Sequence, residues 1–382
     1  MQQLLKVGIF GIGNMGNVTA AVALPNKIPV LGFNSSEADI DAVKSTAAFE
    51  ILHPDVEATG AGKDRTRAKD IMKGCLRSIM EQEPFLDFVT ELDVVFVVSS
   101  TGGGTGSGIS PMMAEILRFK YPNKIIIPVG VLPTRGESVG AQRNSIEYLT
   151  EIERLNIPYM LFDNDNSGKE STKDIYDQVN NDVVEAVRII RGDYSNLSKY
   201  GMIDTEDMKK LISLPGMIHI HALHGIYAEK MDSDQTIEDL MINSLKENTM
   251  VTMDRDKIVK RRGYIANLSE DIQPYFRKEF PKFTEQFGEP VEVFDHYSVN
   301  LDDEKMNSVI LINSGLSMPE NRLKVIQHRI EEVEEALSKK KESSILNSLA
   351  DKVERYDGTT NRARGNESAL AGLDLDSILD KY

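Results

Sequence analysis

The chain has 382 residues, 41% of them hydrophobic and 27% charged, which is typical of a globular protein large enough for two domains. Its 44 basic and 60 acidic residues give a net charge of −16, which argues against direct nucleic-acid binding because phosphate backbones repel such a field. The single cysteine excludes an intrachain disulfide, and Met1–Lys6 is too short for a signal peptide. No apolar run approaches the ~20 residues of a membrane span. We therefore expect a cytoplasmic protein without membrane contact.

Strands and helices alternate along the first half of the chain. The predicted strands are 7–10, 30–33, 93–99, 125–131 and 158–163, and the predicted helices are 17–24, 65–82 and 110–120. This alternation predicts an α/β fold with a doubly wound, Rossmann-like parallel sheet and right-handed crossovers. Ligands bind such sheets at the carboxyl ends of the strands.

The second half begins with a long amphipathic helix over 171–191, whose apolar residues recur at spacings of three and four. Strand-like runs at 217–221 and 308–312 then predict a smaller α/β domain. Ser317 is the predicted N-cap of a C-terminal helix. The apolar seam of that helix favours packing against the domain over a free coiled coil, and residues 357–372 read as a flexible spacer.

The octet Thr101–Gly108, Thr-Gly-Gly-Gly-Thr-Gly-Ser-Gly, restricts function most tightly. It follows a buried strand and leads into a helix predicted to open at Ile109–Pro111, because proline is tolerated in a first turn. Unpaired N–H groups at a helix N-terminus favour an anion, and glycines let the backbone close around phosphate oxygens. A flexible linker would not follow a buried strand. The octet therefore predicts a phosphate-binding loop.

A second glycine-rich turn leaves an alternative open. Gly8–Gly16 contains the GxGxxG pattern of dinucleotide-binding dehydrogenases, and Phe33–Ser36 resembles the strand ending of NADP-preferring members. An NAD(P)-dependent dehydrogenase has no use for a second phosphate cradle, however, and the sequence offers no clear catalytic base late in the chain. Two cradles on one sheet fit a nucleoside triphosphate better.

The octet resembles the signature loop, GGGTGS/TG, of the tubulin/FtsZ superfamily of GTP-dependent filament proteins. Asn34–Asp41, Gly60–Arg65 and Tyr121–Lys124 resemble the plasmid and phage TubZ branch. The resemblance implies a GTP-binding domain over 1–198 that includes the core helix 171–191. It further implies a second, activation-type domain over 199–316, a C-terminal helix over 317–356 and a flexible tail over 357–382.

The resemblance also implies bound GTP or GDP, with Mg²⁺ held mostly by phosphate oxygens and water rather than by a protein ligand set. Asn17 and Asn181, with the adjacent Asp182, correspond to guanine contacts. Tyr176 is the candidate for stacking on the base, although the FtsZ pattern places its aromatic residue at Asp177. The predicted nucleotide-binding residues are Gly13, Asn14, Gly16, Asn17, Asn34, Gly62, Lys63, Thr101, Gly102, Gly103, Gly104, Thr105, Gly106, Ser107, Glu137, Tyr176, Asn181 and Asp182.

Two further segments have basic or acidic side chains with open roles. Lys63 and Arg65 lie where the family senses the γ-phosphate, and the alternative is a solvated basic turn. Glu137 matches the carboxylate of the ribose-contacting loop, whose arginine partner is displaced to Arg143.

By the same resemblance, residues 201–209 form the catalytic loop that completes the site of the next subunit. Asp204 and Glu206 match the family's polar-x-acidic pair. Where FtsZ has a second acid, three residues after Glu206, this chain has Lys209, and Asp207 is the candidate replacement for that acid. A carboxylate there would orient or deprotonate water. The structural alternative is that Asp204 caps a helix over 205–213 and that Glu206 and Asp207 complement its dipole.

The resemblance thus predicts a GTPase that forms head-to-tail homopolymers and positions plasmid or phage DNA. The alternatives are an NAD(P)-dependent dehydrogenase and, as a third class, a GTP-binding regulator that does not hydrolyse GTP. The tail Leu373–Tyr382 alternates acidic with apolar residues and is a candidate docking peptide for a neighbouring subunit or a basic DNA-binding adaptor, or else a frayed end. His219, His221 and His224 lack a complete ligand set, so core or interface histidines are favoured over a zinc site.

Overall fold

The computed structural model describes residues 4–54, 59–193, 203–226, 248–254, 259–274, 276, 284, 288–299 and 307–342. The strands within these residues are β1 (Val7–Ile12), β2 (Val30–Phe33), β3 (Ile51–Leu52), β4 (Val94–Ser100), β5 (Ile125–Leu132), β6 (Pro158–Asp163), β7 (Gly216–Ile226), β8 (Val259–Leu268), β9 (Pro290–Val299) and β10 (Asn307–Leu316). The helices are α1 (Gly13–Ala23), α2 (Glu37–Lys44), α3 (Arg65–Glu81), α4 (Glu83–Glu91), α5 (Thr105–Lys120), α6 (Val139–Leu155), α7 (Thr172–Arg191), α8 (Thr205–Ile212) and α9 (Glu320–Glu342).

The first six strands form the predicted parallel sheet, in the order β3-β2-β1-β4-β5-β6. β1 is buried along its whole length, and so is β4 except for its last residue, as expected for strands that are covered on both faces. α1 and α7 pack against one face, and α3, α4 and α5 against the other. The predicted α/β fold is confirmed, and all the carboxyl ends of these strands meet at one edge.

The sheet continues into the second half of the chain. β7 pairs in parallel with β6, and β10 lies antiparallel between β7 and β8. β9 then pairs in parallel with β8. α6 and the first turns of α9 cover this part through a third apolar core. The predicted limits of the four parts of the chain stay predictions.

Two helices begin earlier than predicted. α5 begins at Thr105 rather than at Ile109, and α1 begins at Gly13 rather than at Asn17. Pro111 therefore lies inside α5, where it removes one backbone donor. In both cases the residues of the glycine loop form the first turn of the helix. Glycines at these positions let the helix start lie directly against neighbouring backbone.

α9 is capped by a residue distant in sequence instead of by Ser317. The carboxylate of Asp254 accepts hydrogen bonds from the N–H groups of Glu320, at 2.7 Å, and Asn321, at 3.4 Å. A carboxylate at a helix N-terminus complements the dipole as well as the unpaired donors. The predicted packing of this helix against the domain is confirmed by Ile326, which is buried in the third core. The tail 373–382 lies outside the described residues, and no described helix is long and apolar enough to cross a membrane.

Candidate nucleotide site and acidic helix

A cavity of about 850 Å³ opens at the carboxyl ends of β1, β2 and β4. Both glycine loops, the loop 59–63 and one face of α7 border it. The predicted residues that line it are Gly13, Asn14, Asn34, Gly62, Lys63, Gly103, Gly104, Thr105, Gly106, Glu137 and Tyr176. The fold therefore brings predicted residues from six separate segments together at the expected edge of the sheet.

The loops around the cavity pack backbone against backbone. A Cβ on Gly104 would lie 2.8 Å from the Cα of Lys63, and one on Gly106 would lie 3.0 Å from the carbonyl oxygen of Ile12. Gly13 has a φ of +74° and would place a Cβ 3.0 Å from the amide nitrogen of Gly106. Because α1 and α5 both begin here, two positive helix ends with unpaired N–H groups border the same cavity. This arrangement fits phosphate oxygens.

The predicted residues Thr101, Gly102 and Ser107 lie behind the loop rather than on the cavity wall. Ser107 Oγ donates to the carbonyl oxygen of Gly103. Thr101 Oγ1 donates to the Val131 carbonyl oxygen at 3.1 Å and lies 2.7 Å from Ser145 Oγ. These bonds fix the shape of the loop, so the two hydroxyl groups are structural in this arrangement.

Gly16 and Asn17 are also covered. A Cβ on Gly16 would lie 2.2 Å from the carbonyl oxygen of Val98, so this glycine allows α1 to approach β4. Asn17 is fully buried and donates from Nδ2 to the Phe33 carbonyl oxygen at 3.4 Å. Asn34, in contrast, is buried at the cavity wall with its Nδ2 unpartnered, and its Oδ1 accepts from Ser36 N–H at 3.2 Å. Asn34 therefore has a donor without a protein partner at the cavity wall.

The α7 residues that line the cavity are Thr172, Lys173, Tyr176, Asp177, Val179 and Asn180. Asn181 and Asp182, which the sequence predicted as base contacts, do not line it. Asn181 Nδ2 donates to the Asp177 carbonyl oxygen at 2.7 Å within the helix, and Asp182 accepts from Thr249 Oγ1 at 2.5 Å. Burial raises the pKa of the Asp182 carboxyl group. The structure places Asn180 where Asn181 was expected.

The adjacent asparagines differ by about 100° around the helix, and a contact distant in sequence decides between them. Thr19 Oγ1 donates to Asn180 Oδ1 at 2.6 Å, which holds this amide at the cavity. Tyr176 lies one helical turn before Asn180 and is 46% exposed. Tyr176 and Asn180 are thus an aromatic residue and an asparagine four positions apart, each one residue before Asp177 and Asn181, which the resemblance to FtsZ had indicated.

Lys63 and Arg65 separate in the structure. Lys63 lines the cavity with a φ of 64°, a conformation that is uncommon for residues other than glycine. Arg65 is 5% exposed and pairs with Glu147 at 3.3 Å and Glu151 at 2.8 Å, so it joins α3 to α6 and does not reach the cavity. The arginine expected beside Glu137 is likewise elsewhere, because Arg143 pairs with Glu334 of α9.

Three carboxylates line the cavity, those of Asp39, Glu137 and Asp177. Glu137 accepts at 3.0 Å from Thr134 N–H, and its charge together with burial raises the pKa of Tyr176, burial being the larger cause. Among the residues the structure describes, no group of three or more His, Cys, Asp or Glu side chains forms a metal cluster. Burial lowers the pKa of His219 to about 4 and that of His221 well below its usual value, so both are neutral core residues at pH 7.

The predicted catalytic residues lie on α8. Asp204 Oδ1 accepts from the N–H groups of Glu206 and Asp207, both at 2.9 Å, so the helix cap expected as the structural alternative is present. The Glu206 side chain is 77% exposed and pairs with Lys209 at 2.9 Å. Lys209 also lies 3.5 Å from Asp93, which precedes β4.

This last contact places α8 at the opposite end of the sheet from the cavity. Asp93 precedes β4 and the octet follows it, so a strand of seven residues separates them, a length of roughly 20 Å. The carboxylates of α8 therefore do not reach the cavity of their own chain.

Comparison with known proteins agrees with this geometry. Residues 26–170 match the Tubulin/FtsZ family, GTPase domain, a stretch that includes the octet and the loop around Lys63. This stretch is therefore similar to the tubulin/FtsZ GTPase domain. The first glycine loop, Gly11–Gly16, lies before the matched stretch.

Relatives of this domain include phage and archaeal proteins. Tubulin-like protein CetZ from Pyrococcus horikoshii is 27% identical over 48% of this chain and 52% of its own length. Tubulin-like protein TubZ from Clostridium botulinum C phage is 26% identical over 65% of each chain. The matched region thus spans between about half and two thirds of these relatives.

Solved structures share the fold. Clostridium botulinum phage c-st TubZ superposes with a TM-score of 0.67 and 21% identity, over 86% of this chain and 97% of that chain. A GTPγS-form protofilament of Bacillus thuringiensis serovar israelensis TubZ gives a TM-score of 0.73 and 16% identity, over 90% and 96%. At these identities the likeness establishes the tubulin/FtsZ fold alone.

Proposed function

We propose that this protein is a GTPase that assembles head to tail and hydrolyses GTP between subunits. The observation that supports this most strongly is the separation of the cavity from α8. A ligand site at one edge of the sheet and exposed carboxylates at the other can meet only when a second copy stacks on the first. Because the two surfaces differ, such a contact is heterologous and generates an open filament.

The binding half of the proposal rests on the cavity. The phosphates lie against Gly103–Gly106 and the first turn of α1, with Lys63 at the γ-phosphate end. The base lies against α7, where Tyr176 offers a ring face and Asn180 an amide that hydrogen-bonds a purine edge. Glu137 accepts from a ribose hydroxyl. Mg²⁺ accompanies the triphosphate and is held by phosphate oxygens and water, since the described residues include no group of three or more His, Cys, Asp or Glu side chains that could hold a metal ion.

The chemical half rests on α8. Of its three acids, Asp204 is engaged in capping, whereas Glu206 is exposed and pairs only with the adjacent Lys209 among the described contacts. Glu206 of one subunit orients the attacking water in the cavity of the next, and Asp204 or Asp207 assists it. Hydrolysis is then fast only in the assembled state.

The relatives favour filaments more than any particular cargo. Protofilament structures are known for Bacillus thuringiensis TubZ and for CetZ2 from Haloferax volcanii in a GTPγS-bound form. The match to a phage TubZ supports a role in positioning plasmid or phage DNA, with the acidic tail 373–382 recruiting a basic DNA-binding adaptor. The archaeal CetZ relatives support the polymer without this cargo.

Turnover as a function of protein concentration tests the proposal. GTP hydrolysis per subunit should rise steeply above a threshold concentration, together with light scattering, and the protein should copurify with guanine nucleotide. A rate per subunit that is independent of concentration contradicts the split site. Nucleotide binding with neither turnover nor scattering indicates a regulator, and NADPH oxidation indicates a dehydrogenase.

A further inference from the structure

Three backbone carbonyl groups from two different loops converge on one side chain of α6. Asn144 Nδ2 lies 3.0 Å from the carbonyl oxygen of Lys63, 3.2 Å from that of Gly102 and 3.1 Å from that of Gly103. Lys63 belongs to the loop at the γ-phosphate end, and the two glycines belong to the octet. Asn144 itself does not line the cavity.

The orientation of this amide is set by its neighbours. Three acceptors face one end of the side chain, so that end is the NH2 group. The backbone of Asn144 is held as well, because its carbonyl oxygen accepts at 2.8 Å from Arg65 NH1. Arg65 is buried and paired with Glu151 of the same helix, which fixes this contact. Asn144 is thus a rigid donor between the two loops.

Its effect on the cavity follows from peptide geometry. The C=O and N–H groups of a trans peptide point in opposite directions. When the carbonyl groups of Gly102 and Gly103 point to Asn144, the N–H groups of Gly103 and Gly104 point away from it. Gly103 and Gly104 both line the cavity, so these two donors are aimed at the space for phosphate oxygens.

We propose that Asn144 is a positioning residue for the triphosphate, an inference that rests on the proposed GTP binding. It aims two donors of the octet into the cavity and ties the octet to the loop of Lys63. Without its NH2 group, the carbonyl dipoles of the two loops face one another without a shared donor, and only that of Gly103 keeps another side-chain donor, Ser107 Oγ. The two loops then move apart. A γ-phosphate that orders the Lys63 loop then no longer orders the octet, so GTP loses more affinity than GDP.

The experiment measures the affinity of fluorescent methylanthraniloyl-GTP and methylanthraniloyl-GDP at protein concentrations below assembly. Asn144→Ala removes the donors, and Asn144→Asp replaces them with a charge that the carbonyl groups and the phosphates repel. We expect Asn144→Ala to bind GTP about 10-fold more weakly and Asn144→Asp more weakly still, with a smaller loss for GDP in both. Asn123→Asp, the same substitution in the exposed turn before β5, should bind both nucleotides like the wild type.

The ratio of the two affinities separates positioning from mere structure. If the Asn144 variants lose GTP and GDP affinity equally, or lose none, the inference about Asn144 is overturned. The proposed function still stands in that case, provided that the wild-type protein binds the nucleotides. If wild-type protein binds neither nucleotide, the proposed function fails and this inference fails with it. If Asn144→Asp does not fold, Asn144→Ala decides the outcome by the same ratio.

Discussion

The two edges of the parallel sheet are built in different ways. At the carboxyl edge, glycine backbones approach other backbones so closely that a single Cβ on Gly104 or Gly106 has no room. At the amino edge, α8 is an ordinary capped helix whose acids are exposed or engaged in surface pairs. The first edge fits the proposed nucleotide site by itself, whereas the second has its proposed function only beside a neighbouring subunit. For this reason the sequence predicted a ligand site at the first edge, whereas at the second edge it fitted a catalytic loop and a capped helix equally well.

The largest effect should come from the exposed edge. We expect Glu206→Gln to leave GTP affinity unchanged and to lower turnover in filaments by roughly 10²–10⁴-fold, the contribution of a positioned acid or base. Its lost pair with Lys209 is exposed and contributes little to folding. Binding titrations and phosphate release measure the two halves separately.

Matched variants test whether the loss of turnover reflects a catalytic role of the α8 acids or a structural one. Glu331→Gln, the same change on the exposed face of α9, should hydrolyse GTP like the wild type. Asp204→Asn keeps a good cap, since asparagine caps helices as well as aspartate does, whereas Asp204→Ala loses it. If only the alanine variant is slow, the acids of α8 are structural.

The carboxyl edge also depends on a buried ion pair. Arg322 of α9 donates from NH2 to Asp163 Oδ1 and to the Pro133 carbonyl oxygen, both at 3.0 Å, and burial raises the pKa of Asp163. Asp163 ends β6 and precedes Asn164 of the cavity wall. Arg322→Leu should lower the free energy of unfolding by about 3–5 kcal/mol, because it leaves a buried carboxylate without its partner.

Denaturant unfolding checks this value. The penalty should shrink as pH falls, because the protonated acid has no charge to bury, and Asp163→Asn should restore part of the stability of Arg322→Leu. Arg143→Met breaks an exposed pair between α6 and α9 and should cost less than about 1 kcal/mol. Equal costs for the two arginine variants would contradict the account.

The buried histidines of β7 lie in neither site, and they should make the free energy of unfolding depend on pH. Burial lowers the pKa of His219 from 6.5 to about 4, so between these values the unfolded chain binds more protons and stability falls as pH falls. The loss should reach about 3 kcal/mol near pH 4. His219→Leu should flatten this slope in acid unfolding curves, while His328→Gln, on the exposed face of α9, should leave it as it is.

The smallest effect should come from adding one methyl group to the octet. Gly104→Ala places a Cβ 2.8 Å from Lys63 Cα and 2.9 Å from the amide nitrogen of Asp64, and such overpacking should weaken GTP binding by roughly 10- to 100-fold. Gly74→Ala, in α3, meets nothing within 4 Å and should instead stabilise the fold by about 0.5–1 kcal/mol. Unchanged affinity in Gly104→Ala would show that the loops need no close approach.

The sequence was informative where the chemistry is local. The octet, the core helix and the parallel strands are contiguous patterns, and each was found within a few residues of its observed bounds. Contacts that depend on packing between distant segments could not be read from the sequence. Nothing near Asn180 and Asn181 shows which of them Thr19 will hold, and nothing near Arg65 announces Glu151. Asn144 was missed because its three acceptors are between 41 and 81 residues away.

The central claim is that one subunit supplies the nucleotide and the next supplies the acid, and a mixture of two inactive variants tests it most directly. Gly104→Val, whose larger side chain meets the same backbone, binds no GTP but keeps Glu206, whereas Glu206→Gln binds GTP but lacks the acid. We predict that adding Gly104→Val to Glu206→Gln restores GTP turnover in proportion to the added subunit. A mixture that hydrolyses no more GTP than the sum of its two components would contradict a site shared between subunits.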